Sequence, residues 1–274
     1  MIYFLHIPKT AGSSLRQIIE ANYSPEELEV IGVHWTTWMT AKDVHRRIEG
    51  KPDIKAVHGH FSYGVHRQIG GEARYVTFLR TPRDRVISGY FHLRRHPKNP
   101  LRAAVEELSL KEYLDSGLVP DVDNGMVRRL SGVMDTVPYG NIGPTHLEAA
   151  LEHMQRDFIF VGTLEQFDPS IYLLGRELSW KRRHYSKERQ GTNRKGYEPS
   201  PETARRIDEL TSYDRHLYEA AVQRLDEMIA RSDFNPQRFH RINRMYNMAQ
   251  APKRAGRKTR RKIRAVHRRL FGSS

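Results

Sequence analysis

Between an apolar run, Ile2–Leu5, and a stretch patterned as a helix lies the turn His6-Ile7-Pro8-Lys9-Thr10-Ala11-Gly12-Ser13-Ser14. It gathers a lysine, a glycine and three hydroxyls. A turn from a strand into a helix presents N–H groups that no helical carbonyl uses, together with the positive end of the helix dipole. Gly12 lets the backbone come close to a ligand. Thr10, Ser13 and Ser14 can donate from their hydroxyls, and Lys9 adds a full positive charge. The combination suits a phosphate or a sulfate. It is not a Walker A loop, whose lysine follows the last glycine at the helix start; here the lysine comes first. The plainer alternative is a turn whose small residues only cap the helix.

A second basic position stands at Arg80, where the apolar run Arg74–Leu79 ends, followed by Thr81-Pro82 and then Ser88. With a helix starting near Pro82, Ser88 falls within its first two turns. A guanidinium matches a phosphate with its planar fork, and a serine hydroxyl can donate beside it. The alternative for Arg80 is a surface ion pair with Asp84. Arg83, Arg85, Arg94 and Arg95 read mostly as a solvated helix face. A third group, His58-Gly59-His60, follows the apolar run Ile54–Val57. Histidine titrates at about 6.5, which suits a general base. On a continuing strand the two rings would share a face, unless Gly59 bends the chain. A metal would need a third ligand, and none stands nearby. Glu72, ahead of the next strand, is a weaker candidate base.

These turns need a scaffold. Ile2–His6, Ile54–Val57, Arg74–Leu79 and Phe158–Gly162 are short, apolar and rich in Val, Ile or Phe, as parallel strands buried on both faces are. Helical patterns separate them, so the alternation predicts an α/β fold with a central parallel sheet flanked by helices. Ligands of such sheets bind beyond the carboxyl ends of the strands, where all three turns fall. Ser24, Ser109 and Thr145 each open a capping-box pattern and predict helix starts; Thr81-Pro82 and Ser200-Pro201-Glu202 predict two more. From Ser200 a long helical pattern runs through Ile207, Leu217 and Leu225, with Tyr213-Asp214 as a point of interruption. Trp180–Pro199 is charged and turn-rich and reads as an exposed loop.

The 274 residues suffice for one large domain, or at most two. No apolar stretch reaches the length that spans a bilayer, and the first strand lacks the basic segment that precedes a secretory signal's apolar core. With no cysteine, disulfides, thiol catalysis and cysteine-based zinc sites are excluded and a reducing compartment is permitted; the expected location is cytoplasmic, with peripheral attachment to a membrane as an option. The net charge of +14 is mostly local: Pro252–Ser274 holds ten Lys or Arg and no acid, which leaves +4 elsewhere. The basicity therefore does not describe a nucleic-acid fold. Residues 1–248 are expected to form the domain. Residues 249–274 form a basic tail that is either disordered or, through Ile263, Val266 and Leu270 on one helical stripe, in peripheral contact with an anionic membrane.

The stretch FLHIPKTAGSS resembles the 5′-phosphosulfate-binding loop of the sulfotransferase superfamily, most of all in the branch of heparan sulfate 2-O-sulfotransferases and their bacterial relatives. YVTFLRTPRDRVISGY is similar to that family's 3′-phosphate motif, and HGH followed by Phe-Ser-Tyr is similar to the segment carrying a catalytic histidine in that branch. The three stand in the family's order, and the resemblance runs from about Ile2 to Ile229. It implies a P-loop-like three-layer fold and the co-substrate 3′-phosphoadenosine 5′-phosphosulfate (PAPS), with no metal required. On this resemblance Lys9, Thr10, Ala11, Gly12, Ser13 and Ser14 hold the phosphosulfate, Arg80 and Ser88 hold the 3′-phosphate, and His60 is the base. Lys9 also stabilises the leaving group.

Further along, Arg194 and Lys195 match a basic segment that covers the nucleotide, although the glycine-rich continuation of cytosolic sulfotransferases is missing; a solvated loop is the alternative. FIFVGTLEQ is similar to a later strand–helix unit with a core role. DNGMVRRLSG resembles a substrate-side segment, which would put Asn124, Arg128 and Arg129 along an acceptor cleft; a packing face of Met126, Val127 and Leu130 is the other reading. The implied acceptor is a hydroxyl of a glycan or glycolipid, with no specific nucleic acid. The alternative enzyme, a nucleotide-binding phosphotransferase, would need a Walker lysine and an Mg²⁺ carboxylate, and neither is in place. A non-catalytic polyanion-binding module draws support only from the basic tail.

Overall fold

The computed structural model describes residues 1–32, 39–97, 99–186 and 197–249. Five parallel strands, β1 (Ile2–Leu5), β2 (Leu28–Ile31), β3 (Ala56–Gly59), β4 (Tyr75–Leu79) and β5 (Phe158–Thr163), form one sheet in the order β2-β3-β1-β4-β5. The helices are α1 (Gly12–Asn22), α2 (Ala41–Ile48), α3 (His66–Ile69), α4 (Pro82–Arg95), α5 (Arg102–Val105), α6 (Leu110–Asp115), α7 (Gly125–Ser131), α8 (Pro144–Arg156), α9 (Phe167–Glu177), α10 (Pro201–Leu210) and α11 (Ser212–Ala230). A final helix, α12, covers residues 236–249.

Successive side chains of a strand point to opposite faces, and here both faces are apolar. Tyr3, Leu5 and Val57 pack in one layer with Met126 and Leu130 of α7, Ala150 of α8 and Leu217 of α11. Phe4, Ala56 and Val76 pack in the other with Leu15 and Ile18 of α1 and Leu174 of α9. The strands therefore read as continuous apolar runs, and the expected α/β architecture with helices on both faces is the observed one. A third apolar cluster ties α4 to α6 and α10.

The topology places the site. From β1 the chain goes out to the β2 edge, returns at β3 beside β1, then crosses to β4 on the other side. The strand order reverses around β1, the usual place for a ligand crevice in such sheets. Leu5 pairs with Gly59 and Tyr3 with Tyr75, so the carboxyl ends of β3, β1 and β4 lie side by side. A Cβ on Gly59 would sit 2.2 Å from the Ile31 carbonyl oxygen, so glycine is what lets β3 run this close to β2.

Several local expectations change. β3 starts later than the apolar run suggests and continues through His58 and Gly59. Ser24 does not start a helix. Its N–H donates to the Glu27 carboxylate at 3.1 Å, as in a capping box, but the chain turns into β2. Leu28, Val30 and Ile31 suit a strand, and the Glu27 carbonyl accepts the N–H groups of Lys55 and Ala56. Thr145 lies inside α8, which Gly143 caps with its N–H donating to His146 Nδ1 at 3.0 Å. The hydroxyls of Ser109 and Ser200 cap α6 and α10, and α4 starts at Pro82, as expected. The interruption of the long helix falls at Thr211. Trp180 and Tyr185 are buried, so the stretch expected to be an exposed loop begins inside the core. No helix among the described residues is long and apolar enough to cross a membrane.

Candidate active site

Lys9 and Ala11 both have positive φ, 71° and 65°. Residues with a Cβ avoid this region at a cost of about 1–2 kcal/mol each, so the surroundings must hold the turn. Thr10, between them, is fully buried, and its hydroxyl donates to the Ile7 carbonyl at 2.7 Å. The N–H of His6 donates to the Gly59 carbonyl at 2.8 Å, and those of Ser14 and Leu15 both donate to the Ala11 carbonyl at 3.0 Å. The turn residues ahead of Ser14 thus sit at the positive end of the α1 dipole. Left-handed residues in such a turn form a concave nest that favours an anion. One expectation changes: the Thr10 hydroxyl is used inside the turn, leaving Thr10 to contribute backbone and shape. Ser13 is exposed and Ser14 half-buried at the helix start.

Arg80 reaches the turn. Its Nη1 donates to the Lys9 carbonyl at 3.2 Å, while Asp84 accepts from the Thr81 hydroxyl at 3.1 Å. The two predicted anion-binding elements are therefore in direct contact. Ser88 sits on α4 between Arg85 and Gly89, both of which line a small cavity with Lys9. One turn on, His92 is pushed down to about 4 by burial and by the Lys9 charge. The face of α4 carrying Ser88 and His92 thus looks toward the turn.

Three histidines meet at the carboxyl ends of β1 and β3. The ring of His6 lies 4.8 Å from that of His60 and 5.6 Å from that of His58, centroid to centroid. Burial, followed by the neighbouring Arg129, pushes His60 down to about 3; burial and Arg16 push His58 to about 4; burial and both neighbours push His6 well below its usual value. All three are neutral at pH 7, the form that can accept a proton. His58 faces the α1 layer, with both ring nitrogens buried and lacking a hydrogen-bond partner among the described residues. His6 also covers Gly12: a Cβ there would lie 2.1 Å from His6 Nε2. His6 so stands between the turn and His60. Glu72 is exposed and precedes β4, at the opposite end of the sheet from these rings.

Behind the histidines runs a buried ionic network. Asp121 accepts from Arg85 Nη1 at 2.7 Å and pairs with Arg129 Nη2 at 3.0 Å; Asp214 pairs with Arg85 at 3.3 Å and accepts the N–H of Val127 at 2.8 Å. Burial opposes ionisation of Asp121, but the two arginines hold its carboxyl below the usual range. Arg85 was expected on a solvated face and is buried instead. Arg128 and Arg129 are fully buried on Asp123 and Asp121, and Asn124 accepts the N–H groups of Tyr213 and Asp214. Arg128 and Arg129 are thus part of the core, beside the packing face of Met126, Val127 and Leu130, while Asn124 lines a cavity with Asp123, Tyr139 and Arg206. Arg194 and Lys195 lie outside the described residues.

Sequence reasoning missed His6, His92 and the Asp121 network. His6 had a signal, since it ends the strand that delivers the turn. Among the described residues no group of three His, Asp or Glu is arranged to hold a metal ion.

An uncharacterised protein of Archaeoglobus fulgidus is 25% identical over 182 residues, which cover 62% of this chain and 70% of that one. The crystal structure of mouse sulfotransferase SULT7A1 complexed with PAP aligns at a TM-score of 0.40 and 16% identity. That alignment covers 78% of this chain and 65% of the mouse chain, so the match spans less than two thirds of the mouse protein resolved there. The family model described as Sulfotransferase family matches residues 1–220, most of the chain. By that match the chain belongs to the sulfotransferase family.

Proposed function

We propose that this chain moves a sulfuryl group from PAPS to a hydroxyl of a carbohydrate acceptor, a glycan or glycolipid, as in the 2-O-sulfotransferase branch that its motifs resemble. The observation that carries this reading is the contact of Arg80 with the Lys9 carbonyl. It sets a phosphate-matching guanidinium against the anion nest, as a nucleotide with a phosphosulfate and a separate 3′-phosphate requires.

PAPS, when bound, supplies the sulfuryl group and a phosphate leaving group. Lys9, Thr10, Ala11, Gly12, Ser13 and Ser14 hold the phosphosulfate; Arg80 and Ser88 hold the 3′-phosphate, with Arg194 and Lys195 as further contacts. Lys9 and the α1 N-terminus offset the charge that grows on the leaving oxygen. His60 takes the acceptor's proton at a ring nitrogen. A pKa of about 3 makes it a weak base in the free protein. Negative charge arriving beside it favours the protonated form and raises that pKa, so proton acceptance is coupled to nucleotide binding.

The test separates binding from chemistry. His60→Ala should abolish transfer from labelled PAPS across a panel of carbohydrate acceptors while calorimetry finds its affinity for 3′-phosphoadenosine 5′-phosphate (PAP) unchanged. Normal turnover by this variant would remove His60 from the mechanism.

A further inference from the structure

The charge of this chain is segregated. Of its 46 Lys and Arg, 13 fall in residues 235–274, which hold no Asp or Glu, leaving 33 against 32 acids before them. The first part of that basic segment is α12, and it is fixed to the body. Phe239 is buried in the layer of α1 and α9. Asn243 accepts the Tyr185 N–H at 3.0 Å; Asn247 donates to the Tyr185 carbonyl at 3.0 Å and accepts the Ser186 hydroxyl at 2.6 Å.

The opposite face of α12 has a different composition. Arg238, Arg241, Met245 and Met248 follow one another at helical spacing, with Arg244 and Ile242 at the flanks. Met245 is 64% exposed and Met248 67%, the two most exposed large apolar side chains among the described residues. We propose that this face of α12 lies on an anionic lipid bilayer, its methionines in the boundary between headgroups and acyl chains and its arginines at the phosphates.

The chemistry selects the partner. Arginines alone would suit any polyanion, a sulfated glycan or a nucleic acid included. Flexible apolar side chains between those arginines gain nothing from a hydrated polyanion but are stabilised at a bilayer surface. The ten basic residues that follow in sequence add attraction to the same anionic surface.

The experiment uses the full chain and sedimentation with vesicles of phosphatidylcholine alone or mixed equally with phosphatidylglycerol. The chain should bind the mixed vesicles and not the neutral ones. Replacing Arg238, Arg241 and Arg244 together by Gln, with the tail intact, should weaken binding on the order of 100-fold, at about 1 kcal/mol for each basic residue near the surface. Met245→Gln with Met248→Gln, which changes no charge, should weaken it too, while binding to soluble heparin stays unchanged. A separate Met245→Trp variant should shift its emission to the blue on mixed vesicles. Wild-type vesicle binding by the methionine variant, no blue shift, or no binding to mixed vesicles by the full chain would each overturn the proposal. So would an equal loss of heparin and vesicle binding in the methionine variant, which would assign the face to polyanions.

Discussion

Arg80 and Lys9, 71 positions apart, meet where the guanidinium donates through Nη1 to the lysine carbonyl at 3.2 Å. The bond points the Arg80 fork at the turn and supports a residue at φ 71°. Arg80→Ala should therefore weaken PAP binding about 10- to 100-fold, the range for losing one hydrogen bond from a charged group, about 1.5–3 kcal/mol. Arg80→Lys keeps the charge but not the fork, and should fall between. Titration calorimetry measures both; unchanged affinity in Arg80→Ala would detach this residue from the nucleotide.

The position of His6 makes a separate prediction about Gly12. A methyl group there meets the imidazole at 2.1 Å, so His6 must swing away from its place beside His60. The clash is with a side chain, and alanine favours a helix over glycine by about 1 kcal/mol. Gly12→Ala should thus shift the thermal midpoint little and yet lower kcat/KM at least tenfold, a drop of about 1.4 kcal/mol in transition-state stabilisation. A variant as active as the wild type would show that the His6 ring is free to move.

Asp121 stands between two buried guanidiniums and balances both. Asp121→Asn leaves them facing each other, and breaking a buried pair in this way costs about 3–5 kcal/mol. Urea unfolding at pH 7 should register a loss of that size. Adding Arg129→Gln should recover part of it, because the two sites share one interaction. Strict additivity of the two changes would contradict the network.

The scaffold was legible because its signals are local. Short apolar runs marked four of five strands, and proline or serine marked the starts of α4, α6 and α10. β2 was hidden by Ser24-Pro25-Glu26-Glu27, which makes a capping hydrogen bond in a turn as readily as in a helix. The site was legible at Lys9, Arg80 and His60 as residue types, but their convergence depends on the β3-β1-β4 order, which local pattern does not give. The burial of Arg85 was hidden for the same reason. Arg85 finds its partners 36 and 129 residues away, at Asp121 and Asp214, so nothing beside it in sequence signals burial.

The three histidines also predict how the protein responds to acid. His60 titrates at about 3 and His58 at about 4, and His6 lies well below its usual value, whereas each titrates at about 6.5 when unfolded. The unfolded chain then binds more protons between these values, so stability is fully present above pH 6.5 and is lost as pH falls toward 4. The urea midpoint should drop between pH 7 and pH 5. His58→Phe keeps the ring and removes a titrating group whose nitrogens have no hydrogen-bond partner among the described residues. That variant should lose less of its midpoint over the same interval. Catalysis should respond in the opposite sense to a bound anion. The acid limb of kcat/KM for PAPS reports His60 in the free protein, and that of kcat reports it with the nucleotide in place. The kcat limb should therefore lie at the higher pH, and coincident limbs would sever proton acceptance at His60 from nucleotide binding.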